Sequence, residues 1–174
     1  MDAAPTGQAG EQLAAIASLA AALDAAEIDY WLFGGWAVDL WAGAVTREHD
    51  DIDIAAWHTD AERIRAGLTG AGWRHAPEPT DAAETRYRLG GVLLEVTFVE
   101  LDELGRVVIP FPSGPAVWST EPFGRDRPAL GAVSCRAVPL SLLLAGKAAP
   151  RPDDADAAKD RADAEVLRRI GDSP

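Results

Sequence analysis

One cysteine, Cys135, stands among 174 residues, so the chain can form no internal disulfide and holds no cysteine–histidine set for zinc. There are only three histidines. No Gly-x-x-x-x-Gly-Lys-Ser/Thr run occurs, which excludes a P-loop. Apolar runs are too short to span a bilayer. The opening Met-Asp-Ala-Ala-Pro lacks a charged-then-apolar leader, so the expectation is a cytoplasmic protein with no membrane partner. Positive charge is also scarce. Sixteen Lys and Arg face 28 Asp and Glu, a net charge of −12, which makes nucleic acid a poor partner and a small cationic molecule a good one.

Apolar residues make up 48% of the sequence, ample for a core, and the length suits one compact unit. Leu13, Ile16, Leu19, Ala20 and Leu23 recur at helical spacing and predict a helix over 11–26. Strands are expected at 28–33 and 51–57, with a short helix at 36–42 between them. Further helices are expected at 60–68, capped by Thr59 or Asp60, at 140–147 and at 156–170. Gly90-Gly91 separates two strand-like runs, 85–89 and 92–99, and predicts a hairpin. Short strands are also expected at 106–109 and 132–138, with a Pro/Gly-rich loop at 110–128 between them.

The informative stretch is 30–54. An apolar run leads into Gly34-Gly35 and a short helix, and the stretch closes on Asp51-Ile52-Asp53-Ile54. Alternation in a strand sends Ile52 and Ile54 inward and sets Asp51 and Asp53 together on the other face, their backbones roughly 6.6 Å apart. Carboxylates that close repel unless a cation sits between them. A strand, Gly-Gly and a helix start together let backbone N–H groups face an anion. The pattern points to a metal–nucleotide site. In 92–99, Glu95 interrupts an apolar strand and is the candidate third carboxylate if the strands are neighbours. Mg²⁺ takes such oxygen ligands, and a carboxylate can also accept a proton from a hydroxyl.

Arg47, Lys147, Lys159 and Arg161 are the candidate cations for phosphates. Each has a plainer use: Arg47 offsetting Glu48 or Asp50, and Lys159 pairing with Asp156 or Asp163 along its helix. His49 is expected as a loop residue behind the site rather than a metal ligand. Trp31, Trp36, Trp41 and Trp57 are expected mainly in the core, with one of them able to stack on a substrate ring.

Gly34-Gly35-Trp36-Ala37-Val38-Asp39 and Thr46-Arg47-Glu48-His49-Asp50-Asp51-Ile52-Asp53 together resemble the signature of small antibiotic nucleotidyltransferases. The similarity is to aminoglycoside 2''- and lincosamide nucleotidyltransferases, of the polymerase-β-like superfamily. Leu93-Leu94-Glu95 resembles the later family strand whose third carboxylate is often Asp. Lys147 and Lys159-Asp160-Arg161-Ala162-Asp163 are similar to the family's closing segments.

The resemblance implies an α+β nucleotidyltransferase fold: a mixed β-sheet flanked by helices, with a core over 1–139 and a C-terminal helical segment over 140–174 packed on it. It implies Asp51, Asp53 and Glu95 as catalytic metal ligands for one or two Mg²⁺, and Gly34, Gly35, Arg47, Lys147 and Lys159 as the nucleotide site. The implied reaction moves a nucleoside monophosphate from a nucleoside triphosphate, first of all ATP, to a hydroxyl of a small and possibly cationic antibiotic. That would be a resistance activity, in a monomer or homodimer. Two alternatives stay open: a catalytically silent, antitoxin-like nucleotide-binding relative, and a nucleotidyltransferase acting on a protein.

Overall fold

Gly90-Gly91 closes the hairpin on which the sheet is built. In the computed structural model, which describes residues 7–79 and 82–172, strands β4 (Glu84–Leu89) and β5 (Val92–Leu101) pair antiparallel from Leu89 opposite Val92 onward. β5 also lies parallel to β2 (Ile52–Trp57), and β2 pairs antiparallel with β1 (Tyr30–Phe33). With β3 (Arg74–His75) on the outer side of β4, the order is β1-β2-β5-β4-β3. The far end of β5 continues into β6 (Val107–Ile109) and β7 (Ala116–Ser119). The sheet is therefore mixed, as expected.

Helix α1 (Gln8–Ala25) buries Leu13, Ile16, Leu19 and Leu23, the stripe its spacing predicts, and packs against α3 (Ala61–Gly70) through a core that includes Ile64 and Leu68. Each such aliphatic side chain taken out of water contributes about 1.5–3 kcal/mol. Helix α2 (Gly34–Ala42) is largely buried between β1 and β2 on one side and helices α4 (Leu140–Lys147) and α5 (Asp154–Gly171) on the other. The C-terminal helices thus pack on the helix that opens with the two glycines.

The structure corrects several boundaries. α2 begins at the glycines themselves, not at Trp36. Neither Thr59 nor Asp60 caps α3 through its side chain; Asp60 instead accepts from Arg63 at 2.6 Å. α5 starts at Asp154 because Asp153 caps it, accepting from the amides of Ala155 and Asp156. The strand expected over 132–138 shrinks to β9 (Val133–Ser134), paired with β8 (Ala129–Leu130), plus a bridge from Ala137 to Leu32. The loop over 110–128 contains β7, whose short run between prolines gives little strand signal of its own. The loop is anchored where the Trp31 indole donates to the Gly124 carbonyl at 2.7 Å.

Candidate active site

Strand register alone sets out the site. Phe33 pairs with Asp53, Asp53 with Glu95, and Glu95 with Arg86, so four side chains form one row across β1, β2, β5 and β4 on a single face. Asp51 precedes β2 by one residue and shares Asp53's side of the strand. The outcome is a trio of half-buried carboxylates: Asp51, Asp53 and Glu95 each bring an oxygen within 4.8 Å of the others.

Three acids this close are costly without a cation. Burial first, then the charges of Asp51 and Glu95, push the Asp53 carboxyl up to about 8. Burial, Glu95 and Asp50 raise Asp51 as well. Glu95 alone of the trio carries a direct counter-charge, since Arg86 Nε donates to it at 2.6 Å while its Nη1 reaches Glu78 at 3.0 Å. An all-oxygen, multiply acidic donor set suits a hard divalent cation such as Mg²⁺.

A pH dependence follows. Asp53's folded value lies above the unfolded carboxylate value of 3.8, so between the two the folded state keeps a proton that the unfolded state has lost. Its contribution to metal-free stability therefore falls as pH rises through that window. A divalent cation needs the ionised form. The Mg²⁺-induced rise in Tm should grow from pH ~6 to pH ~9, and calorimetry in buffers of different ionisation enthalpy should show proton release on binding. An Mg²⁺ effect independent of pH would contradict this electrostatic account.

The glycine turn serves the same carboxylates. Gly34 has φ +67°, and a Cβ there would lie 2.3 Å from Asp53 Oδ2. A Cβ on Gly35 would lie 2.4 Å from His49 Nδ1 and 2.5 Å from Arg47 Nη2. The space over both glycines is filled by the chain's own side chains, and at Gly35 it is a guanidinium that covers the backbone.

Behind this turn, loop 43–51 is pinned to buried Asp39, 0% exposed. Asp39 accepts from the Thr46 amide at 3.1 Å, from the Thr46 hydroxyl, and from His49 Nε2 at 2.6 Å. Gln8 and Gln12 hold the His49 carbonyl at 2.9 and 3.0 Å. His49 also packs on Trp36, so it fixes the loop that delivers Arg47 and Asp51.

A cleft of about 570 Å³ opens over the trio. Gly34, Gly35, Arg47, Lys147 and Lys159 all line it, together with Arg151, Glu84 and an apolar patch that includes Phe33, Ile109 and Trp118. Arg161 does not; it lines, with Arg168, an adjoining groove that shares Lys147, Arg151 and Asp160 with the cleft. The ion pairs differ from the expected ones except for Lys159 with Asp156. Arg47 makes a two-pronged bond to Asp163, both contacts 2.9 Å, rather than to the side chain of Glu48 or Asp50. Lys147 meets Asp160 at 2.9 Å and Asp163 at 2.8 Å, and Arg151 meets Asp160 at 2.8 Å. Lys159 pairs with Asp50 at 2.9 Å and stands 4.0 Å from Asp156. Burial raises the Asp163 carboxyl, but hydrogen bonds from Arg47 and Lys147 outweigh it and hold it below the ordinary carboxylate range.

Sequence reasoning missed Arg86, Arg151, Asp160, Asp163 and Trp118 as parts of the site. Arg86 was within reach: pairing Leu89 with Val92 forces Arg86 opposite Glu95. Trp118 was not, because it enters through β7. It packs edge-on against Phe33 and Phe123 at 4.9 and 5.2 Å. Among the tryptophans weighed from sequence, Trp31 and Trp36 are buried, and Trp31 meets Trp57 edge-on within the core packing.

A strand–glycine–helix turn, an Asp-x-Asp strand and a third carboxylate on the parallel neighbour stand together in a nucleotidyltransferase-like fold. Solved structures share the fold: lincomycin-bound lincosamide antibiotic adenylyltransferase LnuA, with TM-score 0.64 and 20% identity over 85% of this chain and 90% of that one. ANT(2'')-Ia in complex with adenylyl-2''-tobramycin superposes with TM-score 0.62 and 21% identity, over 92% and 94% of the two chains. Residues 15–110 match the aminoglycoside-2''-adenylyltransferase family, and the chain belongs to it. A 2''-aminoglycoside nucleotidyltransferase of Escherichia coli is 46% identical over 43 residues, a match spanning 25% of this chain and 24% of that relative.

Proposed function

We propose that this protein is a Mg²⁺-dependent nucleotidyltransferase. It moves a nucleoside monophosphate, AMP in the first instance, from a nucleoside triphosphate to a hydroxyl of a small antibiotic of the aminoglycoside or lincosamide type. The observation that carries this reading is the trio of carboxylates meeting within 4.8 Å, in a cleft that also presents four cations. The names of similar structures, which hold lincomycin and adenylyl-2''-tobramycin, support the acceptor class.

Asp51, Asp53 and Glu95 would hold the divalent ion, which when bound offsets phosphate charge and aligns attacking and leaving oxygens. Arg47, Lys147, Arg151 and Lys159 bind the triphosphate. The acceptor hydroxyl oxygen forms a bond to the α-phosphorus, the bond from that phosphorus to the bridging oxygen breaks, and pyrophosphate leaves with that electron pair. Glu95 takes the hydroxyl proton, and Arg86 keeps Glu95 oriented toward the row. The patch of Phe33, Ile109 and Trp118 covers the apolar side of an acceptor.

The test is pyrophosphate release with Mg²⁺, each of four nucleoside triphosphates and a panel of hydroxylated antibiotics, followed by mass spectrometry of the acceptor. One pair should give a nucleotidylated product. Release that never depends on a small-molecule acceptor, over a panel covering both antibiotic classes, would overturn the acceptor assignment.

A further inference from the structure

We propose that Asp163 is a positioning residue for the triphosphate: it lies behind Arg47 and Lys147 and holds both cations facing the cleft. This rests on the nucleotidyl-transfer reading above. Asp163 is 1% exposed and is not part of the cleft wall, whereas Arg47 and Lys147 both are. Its two oxygens together take three contacts. Oδ1 takes Arg47 Nε, and Oδ2 takes both Arg47 Nη2 and Lys147 Nζ.

The network around it is unbalanced in an informative way. Among the described residues, Arg47, Lys147 and Arg151 are tied together by Asp163 and Asp160, three cations to two carboxylates. The donor count agrees. A lysine ammonium has three protons, and Asp160 and Asp163 take two of those on Lys147, leaving one for a ligand. Arg47 commits Nε and one Nη2 proton to Asp163 and an Nη1 proton to the Glu48 carbonyl, so one proton on each Nη is left over. Two cations whose side-chain freedom is already removed bind phosphate at lower entropic cost than two mobile ones. The contact also ties α5 to loop 43–51, so the C-terminal helix holds one wall of the nucleotide site.

The experiment compares the full chain with Asp163→Asn, Asp163→Glu, Lys147→Ala and the Asp163→Asn/Lys147→Ala double variant. MgATP binding is measured by calorimetry, with KM for each substrate and kcat, at temperatures well below every melting midpoint. Asp163→Asn should weaken MgATP binding and raise its KM by about 10- to 100-fold, the scale of charge-assisted hydrogen bonds, while the acceptor KM holds. Asp163→Glu should recover part of the loss. In the Lys147→Ala background the effect should shrink, since the two residues act through one contact. If Asp163→Asn does not fold, Asp160→Asn removes the other tie on Lys147 and should raise the same KM to a lesser degree.

A lower Tm with unchanged MgATP binding, or full additivity with Lys147→Ala, would overturn the assignment and leave nucleotidyl transfer standing. Failure of the wild-type chain to bind MgATP would remove both.

Discussion

Replacing Asp53 with asparagine should abolish the proposed nucleotidyl transfer and at the same time raise the melting temperature of the metal-free protein at neutral pH and above. The two effects have one cause. Asp53 stands between Asp51 and Glu95 in a half-buried position and carries a carboxyl pushed up to about 8, so its ionised form is held at a cost until a cation offsets it. An amide of the same shape removes that cost and removes the proposed metal ligand with it. A lost metal ligand forfeits several kcal/mol of transition-state stabilisation, so turnover should fall by roughly 10³-fold or more. Each kcal/mol of relieved repulsion should raise Tm by about 2–4 °C in a chain of this size. Acceptor-dependent pyrophosphate release and thermal melts in chelator, run side by side, check both halves. Retained activity together with a lowered Tm would show that Asp53 is a structural acid.

Gly34→Ala should be nearly as damaging to catalysis, for a steric reason. At φ +67° an alanine costs about 1–2 kcal/mol. Its Cβ would also stand 2.3 Å from Asp53 Oδ2, so either the turn or the carboxylate must move. A displacement of about 1 Å at a reacting centre costs on the order of 10²-fold in rate. Gly91→Ala is the matched control, because a Cβ there meets nothing within 4 Å and its φ is outside the left-handed region. Kinetics and melts of the two variants should separate cleanly. Equal activity in both would mean that Asp53 tolerates displacement.

How far the sequence showed this site depended on whether each contact is local. Asp51 and Asp53 were legible because residues two apart in extended chain share a face whatever the rest of the chain does. Glu95 could be placed only conditionally, since its meeting with Asp53 needs β5 beside β2, a crossover pairing that periodicity does not encode; the parallel register supplies it. The hairpin at Gly90-Gly91 and helix α4 emerged where local patterning put them, because turn chemistry and apolar spacing set both. The partners of Arg47 and Lys147 did not emerge. Local reasoning offers each cation its nearest acids in sequence, whereas the fold supplies Asp163, 116 positions away from Arg47. Trp118 was hidden for a related reason: β7 is a short edge strand whose pairing with β6, not its composition, creates it.

The parallel join between β2 and β5 also bears on how the molecule is made. A two-residue hairpin such as β4–β5 closes within about 1–10 μs, while a crossover pairing must wait for the intervening chain to fold. On a nascent chain β2 therefore emerges well ahead of its parallel partner, with Ile52, Ile54, Ala55 and Ala56 still without the neighbour that covers them in the finished sheet. Such a segment is an aggregation hazard. The acids at 51 and 53 interrupt it at its leading end, as gatekeeper charges do in other exposed strands. The same two side chains that make the finished site costly without a cation should slow aggregation of the unfinished chain.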